Sequence, residues 1–239
     1  MTQTGEAILR SLEAVAAERA ARALDPALGD RVVAVKAFQR ARFSLTYSDL
    51  MQDPRYAAAT QFFLDDLYGP ADFAQRDAQF ARIVPALVRL FPDEIVQTVA
   101  DLGVLHALSE RLDTAMARRM AEPRLDGASY GAAWRDVGEA ASRERQIQLM
   151  VSVGTALDGF TRKLLLRNSL RLMRAPAAAA GLGALQQFLE TGFETFRAMR
   201  GAQVFLDTIA TRERSLAAQL FAGEDLPSAP RTEGPLPGA

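Results

Sequence analysis

The chain has 239 residues, of which 49% are apolar and 24% are charged, and its formal net charge is −1. This balance is typical of a globular protein, and it excludes the overall basic field that favours nucleic acid. With no cysteine and one histidine, the chain cannot form disulfides, zinc fingers, iron–sulfur clusters, a thiol nucleophile or a histidine-rich metal centre.

The first ten residues lack a basic segment followed by an apolar run, so they do not resemble a secretory signal. The longest uncharged stretches, 146–157 and 175–189, are shorter than the roughly 20 apolar residues that span a bilayer. We therefore expect a cytoplasmic protein with no membrane partner.

Residue types that favour helices dominate the chain, and no long segment alternates apolar and polar residues as a strand would. The expected fold class is all-α, a single bundle-like domain of about eight helices. We expect this domain to cover residues 1–222, divisible into halves 1–121 and 129–222. Residues 223–239 are rich in proline and nearly free of apolar side chains, which predicts a disordered tail.

Caps, prolines and apolar spacing predict five helices in the first half of the chain, over residues 5–24, 30–43, 54–68, 73–90 and 93–120. Asp30 and Asp53 are the expected N-caps of the second and third helices. Asp25-Pro26 is expected to end the first helix, because the residue before a proline avoids the helical region.

Three helices are predicted after the loop at 122–128, over residues 129–173 with a break near 138–142, 176–200 and 203–221. Ser129 is the expected N-cap of the first of these. Apolar residues recur every three or four positions in the last two helices, which predicts that those two pack together as an antiparallel pair.

His106, the lone histidine, lies near the predicted apolar face of the fifth helix. Glu110 and Asp113 follow it by four and seven residues, so at about 100° per residue all three side chains project to one side. The functional interpretations of His106 are an axial ligand, a general base oriented by Glu110, or a pH-sensitive contact. The alternative is a half-buried histidine that is hydrogen-bonded to a neighbouring helix.

A haem site needs only one proximal histidine, so a globin-like haem or tetrapyrrole protein with His106 as axial ligand is the alternative function. Di-iron sites and 2-His-1-carboxylate iron sites are excluded because the sequence has no second histidine. The sequence also lacks a nucleophile elbow and a phosphate-binding glycine loop. We therefore expect no catalytic residue and no metal other than haem iron, although an enzyme built on Glu110 and Asp113 stays open.

The most distinctive segment is 62–77, which begins with two phenylalanines and an acidic pair. These residues cover more of a helix than one core face requires, which indicates a helix contacted on several sides or the edge of a ligand pocket. Together with the residues around His106 and a later aromatic pair, the candidate pocket or interaction residues are Phe62, Phe63, Tyr68, Phe73, Arg76, Asp77, Glu110, Asp113, Tyr130 and Trp134.

A run of basic side chains occupies one predicted helix face at Lys163, Arg167, Arg171 and Arg174. Such a run can bind an anionic group or nucleic-acid phosphate. The nearly neutral net charge instead favours a solvated face or a ladder paired with acids on a neighbouring helix, so nucleic acid is not an expected partner.

Residues 62–68 resemble the signature of the FFLEELY motif proteins, a bacterial group, with Asp65 and Asp66 in place of the two glutamates. The similarity extends over most of residues 40–220, through Gly69, Asp72-Phe73, Arg76-Asp77, residues 105–110 and the segment from Tyr130 to Trp134. The resemblance implies a bacterial, cytosolic protein, and it assigns no catalytic residue, cofactor or partner.

The sequence lacks the residue patterns of the catalytic sites considered above, and most of the predicted helices carry a stripe of apolar residues. Together these observations favour a non-enzymatic function. We expect a helical ligand-binding or protein-interaction protein that associates with itself.

Overall fold

The computed structural model describes residues 2–67, 73–224 and 226. In this part of the chain twelve α-helices and one π-helical turn follow one another without a strand, which confirms the all-α prediction. The helices are α1 (Gln3–Leu24), α2 (Pro26–Thr46), α3 (Ser48–Gln52), α4 (Ala57–Phe62), α5 (Ala74–Leu90), α6 (Asp93–Arg119), α7 (Gly127–Val137), α8 (Ala140–Thr161), α9 (Leu164–Leu172), α10 (Arg174–Ala179), α11 (Gly183–Ala198) and α12 (Gln203–Ala222), with the π-helical turn at Phe63–Leu67 between α4 and α5.

The helix count exceeds the predicted eight because short interruptions divide several predicted helices. Gly181, at a φ of 70°, separates α10 from α11, since a left-handed residue cannot continue a helix. Residues 162–163 separate α8 from α9. The helix predicted to begin at Pro54 begins later, because residues 53–56 form turns and the Asp53 side chain accepts the backbone N–H of Arg55 at 2.8 Å.

Two helix starts also differ from the predictions. Asp25 caps α2 with Pro26 at the first helical position, so the cap predicted at Asp30 lies inside the helix. Asp126 caps α7, and Ser129 completes a capping box with it instead of serving as the cap itself.

Helix α6 is the central element, because it packs against α1, α2, α5, α7 and α8. Its 27 residues extend about 40 Å. Buried side chains occur on both sides of this helix, from Val96 to Ala117. Side chains that α6 directs inward are therefore surrounded by other helices.

Three apolar clusters form the core. The largest joins residues 43–64 to residues 147–210, the second joins α2, α6, α7 and α12, and the third joins α1, α5 and α6. The largest cluster thus connects the two halves that the loop separates. Leu226, within the predicted tail, is buried in the second cluster, and residues 227–239 lie outside the described residues.

The segment that begins with Phe62 is contacted on two sides. The Phe62 ring lies 5.6 Å from the ring of Phe188 on α11, and the Phe63 ring meets Phe205 on α12 edge-on at 5.3 Å. Two consecutive side chains cannot lie on the same face of an α-helix, so Phe62 and Phe63 are buried against different helices, α11 and α12. Phe62 and Phe63 are therefore core residues.

The last two long helices do not form the predicted antiparallel pair. Helix α12 packs mainly against α8, whereas α11 packs against α4, α5 and α8. The close approach of α12 to α8 depends on Gly154 of α8, because a Cβ atom there would lie 2.5 Å from Cδ2 of Leu206 on α12. No helix within the described ranges is both long and apolar enough to cross a membrane.

Replacement of Gly154 by alanine is expected to lower the free energy of unfolding by about 1–3 kcal/mol, because Leu206 is fully buried and cannot move away freely. The matched control is Gly159→Ala on the same helix, where nothing lies within 4 Å of the added Cβ. That control should be neutral or stabilise the protein by up to about 1 kcal/mol. Urea denaturation followed by circular dichroism measures both, and equal midpoints for the two variants would contradict the packing.

Candidate functional site

A cavity of about 170 Å³ lies among eight helices of the fold. It is lined by residues of α1, α2, α5, α6, α7, α8, α11 and α12, and by Phe73, which precedes α5. For scale, an engineered apolar cavity of about 150 Å³ in another protein holds benzene. The space therefore suits a small organic molecule.

Helix α6 supplies the longest wall of the cavity. Its lining residues recur every three or four positions from Val99 to Asp113, so one face of the helix follows the cavity for about 21 Å. The first half of this wall is apolar, and the second half carries Ser109, Glu110 and Asp113. The cavity consequently has an apolar end and a polar end.

The cavity brings together most of the residues singled out in the sequence. Those that line it are Phe73, Arg76, Asp77, His106, Glu110, Asp113, Tyr130 and Trp134. Phe62 and Phe63 do not line it, since they pack in the core, and Tyr68 lies outside the described residues.

Sequence reasoning missed several polar lining residues, namely Lys36, Gln39, Arg42, Ser109, Gln146 and Glu213. A signal for two of them exists on α2. Val32, Lys36, Gln39 and Phe43 follow one another at intervals of three or four residues, so they lie on one face of α2. The two apolar residues of this face, Val32 and Phe43, are buried. Polar residues inside such a stripe indicate a buried polar site.

Glu110 is the most strongly paired carboxylate of the cavity and is only 3% exposed. Its Oε1 accepts from Lys36 Nζ at 2.5 Å, and its Oε2 accepts from Arg22 Nη2 at 2.6 Å. Burial raises the pKa of Glu110, but the charges and hydrogen bonds of Lys36 and Arg22 outweigh burial and lower this pKa to about 2. Glu110 is therefore an ionised structural anion and not a general acid.

Asp113, one helical turn further along α6, has the opposite character. It is buried, and its Oδ1 accepts from Gln39 Nε2 at 3.0 Å. Burial raises the pKa of Asp113, and the charge of Lys36 and the amide of Gln39 only partly offset this effect. A buried carboxyl of this kind can donate a proton or a hydrogen bond to a ligand.

Aromatic and cationic groups form the wall beside Asp113. Tyr130 stacks on Phe38 with the ring centroids 4.5 Å apart, and the Arg143 guanidinium lies 3.8 Å from the centroid of the Trp134 ring. Burial raises the pKa of Tyr130, which keeps its phenol neutral. This part of the wall offers rings for packing and a buried cation for an anionic group.

His106 lies where α5 crosses α6. Its Nε2 is 2.9 Å from Oδ2 of Asp77, and the same carboxylate oxygen accepts from Arg19 on α1 at 2.8 Å. Burial raises the pKa of Asp77, but the hydrogen bond with His106 and the nearby positive charges outweigh it and lower that pKa. The geometry corresponds to a histidine hydrogen-bonded to a neighbouring helix.

Arg76 closes the same side of the cavity. Its guanidinium lies 4.0 Å from the ring centroid of Phe73 and 4.3 Å from that of Phe188 on α11. Two aromatic contacts hold a cation in place without removing its charge. Arg76 therefore joins α5 to α11 at the cavity wall.

The described residues hold no group of three or more histidine, aspartate or glutamate side chains that could bind a metal ion. The basic run at 163–174 does not line the cavity and is paired with acids of α6 and α11, since Lys163 contacts Glu94 on α6 at 2.8 Å. Arg167 and Arg171 both contact Glu194, and Arg174 contacts Glu190 at 2.6 Å. This ladder shares its cations with carboxylates and does not form an open phosphate-binding face.

Replacement of Glu110 by glutamine is expected to lower the free energy of unfolding by about 3 kcal/mol at pH 7, because two partly buried cations lose their buried anion. The folded-state pKa of about 2 lies below the ordinary value of 4.5. The contribution of Glu110 is therefore complete above pH 4.5 and is lost as the pH falls toward 2. The difference between wild type and variant should shrink over that window in urea denaturation.

Asp113→Asn is the matched control on the same helix. The raised pKa of Asp113 means that its ionised form costs free energy once the pH exceeds the ordinary value of 3.8. An asparagine keeps the acceptor for Gln39 and removes that cost, so this variant should be as stable as wild type, or more so, at pH 7. Equal destabilisation by both substitutions would contradict the assignment of opposite roles.

The chain was compared with family models, curated proteins and solved structures. No curated protein and no solved structure matches the chain. A family model described as a domain of unknown function, DUF8198, matches residues 18–227, a range that contains every lining residue of the cavity except Leu12. The similarity to the FFLEELY motif proteins stays a prediction. Because this family model matches most of the chain, the chain belongs to the DUF8198 family.

Proposed function

We propose that this protein binds a small organic ligand in the cavity beside α6 and does not transform it chemically. The observation that carries the proposal is a cavity of about 170 Å³ in which buried charged groups lie next to aromatic rings. Small-molecule sites have this composition, a mostly apolar lining with a few convergent polar groups.

The apolar end of the cavity supports the proposal. An apolar group that binds there is removed from water, which favours association. Water is a poor occupant of the apolar end, where Phe80, Val99 and Leu102 offer no polar partner.

The polar contacts favour binding over catalysis. The hydroxyl of Ser109 donates to the carbonyl of Leu105 and accepts from Gln146 Nε2 at 2.7 Å, whereas His106 bonds Asp77. A serine nucleophile needs a base within hydrogen-bond reach, and the bonds that Ser109 makes are directed elsewhere. Ser109 and His106 are therefore not placed as a nucleophile and its base.

The contacts of His106 speak against the haem alternative. An axial ligand presents one of its two ring nitrogens to iron, and in His106 one of them, Nε2, is instead 2.9 Å from Oδ2 of Asp77. The cavity is also smaller than the roughly 300–1,000 Å³ that pockets for drug-sized ligands require. These two features favour a ligand much smaller than a tetrapyrrole.

The binding proposal predicts that 1-hexanol, a small neutral probe, raises the Tm of the wild-type protein, because a ligand that binds only the folded state stabilises it by mass action. Leu102→Trp fills the apolar end and should abolish this shift. Val104→Trp is the matched control, since Val104 is exposed on another face of the same helix. Differential scanning calorimetry measures the shifts, and an equal shift in both variants would place the probe outside the cavity.

A hemin titration distinguishes the small-ligand proposal from the haem alternative. The proposal predicts no sharp Soret shift at one equivalent of hemin, whereas haem binding predicts such a shift in the wild type and its loss in His106→Ala. Observation of that pattern would replace the small-ligand proposal by the haem interpretation.

A second observation favours self-association. Helix α9 exposes Leu165 and Leu172 at 81% and 79%, and their seven-residue separation places both on one face. Exposed apolar patches of this kind mark interaction surfaces. A second copy of the chain is the proposed partner.

The wild-type chain should elute in size-exclusion chromatography with light scattering as a multiple of its monomer mass. Leu165→Glu combined with Leu172→Glu should yield the monomer, because two charges cannot be buried at the interface. Leu24→Glu is the control, since Leu24 is equally exposed on a different helix. A wild-type monomer at high concentration would end this second proposal.

A further inference from the structure

Among the described residues, Asp113 has no counter-ion at close range. The lining carboxylates Asp77, Glu110 and Glu213 each form an ion pair, whereas no described cation lies within 4 Å of the Asp113 oxygens. Asp113 also lines the cavity and is only 7% exposed. Burial raises the pKa of Asp113 and so favours its neutral carboxyl, which carries a hydrogen that it can donate.

The amide of Gln39 determines which oxygen of Asp113 carries that hydrogen. Nε2 of Gln39 donates to Oδ1 of Asp113 at 3.0 Å, so the hydrogen of the neutral carboxyl belongs on Oδ2. Burial raises the pKa of Tyr130, whereas the amide of Gln39 lowers it, as a donor to the phenol oxygen does. An amide nitrogen has two hydrogens, so Gln39 can serve both neighbours and leaves their O–H groups to donate elsewhere.

Asp113 and Tyr130 thus bring two uncharged O–H donors to one part of the wall. Both side chains line the cavity, both are more than nine-tenths buried, and both lie beside Gln39. A carbonyl oxygen has two lone pairs and can accept from two donors at once. In another protein a tyrosine and a neutral aspartic acid form such a site for a substrate oxygen.

The surroundings of this pair disfavour a charged head group. Besides the effect of burial, the charges of Lys36 on α2 and Arg143 on α8 lower the pKa of Asp113, and that of Glu110 on α6 raises it. Arg42 on α2 acts on the neighbouring phenol. Charges of both signs therefore lie near the two donors, and an added charge of either sign meets a like charge. An uncharged head group avoids this cost.

The wall beside the two donors suits a short apolar body. Met150 belongs to the largest apolar cluster, Leu105 packs against it, and both line the cavity. Leu105 lies eight residues before Asp113 on α6, which corresponds to about 12 Å along the helix. A molecule of about six carbons fits between them, since the cavity of about 170 Å³ is comparable with one that holds benzene.

We infer that the ligand is a small uncharged carbonyl compound whose oxygen accepts hydrogen bonds from Asp113 and Tyr130 and whose apolar body extends along α6 past Leu105 and Met150. The inference rests on the proposed ligand-binding function and specifies the chemical class of the ligand. It assigns Asp113 and Tyr130 as the residues that determine specificity for a hydrogen-bond acceptor.

The test uses four probes with six carbons, namely 2-hexanone, 2-hexanol, 2-aminohexane and hexanoate, titrated into the wild-type protein at pH 6.0 by isothermal calorimetry. 2-Hexanone should bind about threefold or more tightly than 2-hexanol, because the hydroxyl of the alcohol places its own hydrogen among donors, and an unmade hydrogen bond costs free energy. The ammonium and carboxylate probes should bind more weakly than 2-hexanol, since each meets a like charge.

The four affinities separate failure of this inference from failure of the proposed function. Equal or tighter binding of 2-hexanol, or tighter binding of either charged probe than of 2-hexanone, would overturn the carbonyl assignment and leave ligand binding intact. Absence of binding by all four probes would overturn both.

Tyr130→Phe removes one donor and keeps the ring that stacks on Phe38. The affinity for 2-hexanone should fall about three- to tenfold, which is the effect of one lost hydrogen bond. Tyr56→Phe is the matched control, because Tyr56 is also buried but does not line the cavity, and it should leave the affinity unchanged. An unchanged affinity in Tyr130→Phe, or an equal loss in both variants, would overturn the assignment of Tyr130.

Two substitutions test Asp113 by the hydrogen that each can donate. Asp113→Asn keeps an N–H donor, whereas Asp113→Leu is similar in size and has none. The affinity for 2-hexanone at pH 6.0 should stay within about twofold of the wild type in Asp113→Asn and fall about three- to tenfold in Asp113→Leu. A loss in Asp113→Asn as large as that in Asp113→Leu would overturn the donor role.

The pH dependence checks the same role without relying on the folding of Asp113→Leu. Since burial raises the pKa of Asp113, its donor is present below that pKa and is lost as the pH rises through it. The wild-type affinity for 2-hexanone should therefore fall between pH 5 and pH 9, whereas the affinity of Asp113→Asn should show no such fall. The other titrating groups of the wall are common to both proteins, so equal pH profiles would overturn the donor role of Asp113.

Discussion

The carboxylate of Glu110 joins three helices at the centre of the fold. It lies on α6 and accepts from Lys36 on α2 and from Arg22 on α1. Burial of three charged groups is favourable only when each has its partner at close range, so the arrangement constrains the positions of α1 and α2 on α6. The cavity depends on this constraint, because those helices carry part of its wall.

Two carboxyl groups one helical turn apart show how the surroundings decide the chemistry of a side chain. Glu110 faces two cations and remains ionised to low pH, whereas Asp113 faces an amide and a nearby aromatic wall. The intrinsic acidities of the two residue types are nearly equal. The difference comes from the residues that α1 and α2 bring to each position.

Properties carried by one helix were predictable from the sequence, whereas the particular partner that a side chain finds on another helix was not. Helical spacing placed His106, Glu110 and Asp113 on one side of α6 without knowledge of any neighbour. The bond between His106 and Asp77 requires the crossing of α5 and α6, which leaves no mark in local spacing. For the same reason the pairing of Lys36 with Glu110 could not be foreseen, because those residues are 74 positions apart.

The helix count illustrates the same limit at the level of the backbone. Prolines and apolar stripes placed α6 and α12 correctly to within one or two residues. In contrast, α2 covers Pro26–Thr46 where 30–43 was predicted, and α8 ends at Thr161 where the prediction continued to 173. The interruption between α8 and α9 occurs without proline or glycine at residues 162–163, so neither of these two residues marks it in the sequence.

The lone tryptophan and the lone histidine of the chain both lie in the cavity wall, on α7 and α6. Trp134 belongs to the polar end, and His106 lies between the two ends. Indole emission responds to local polarity, and imidazole proton resonances respond to the state of the ring, so each signal arises from one known position. The wild-type chain thus carries two native spectroscopic reporters of the same cavity, and neither requires a label.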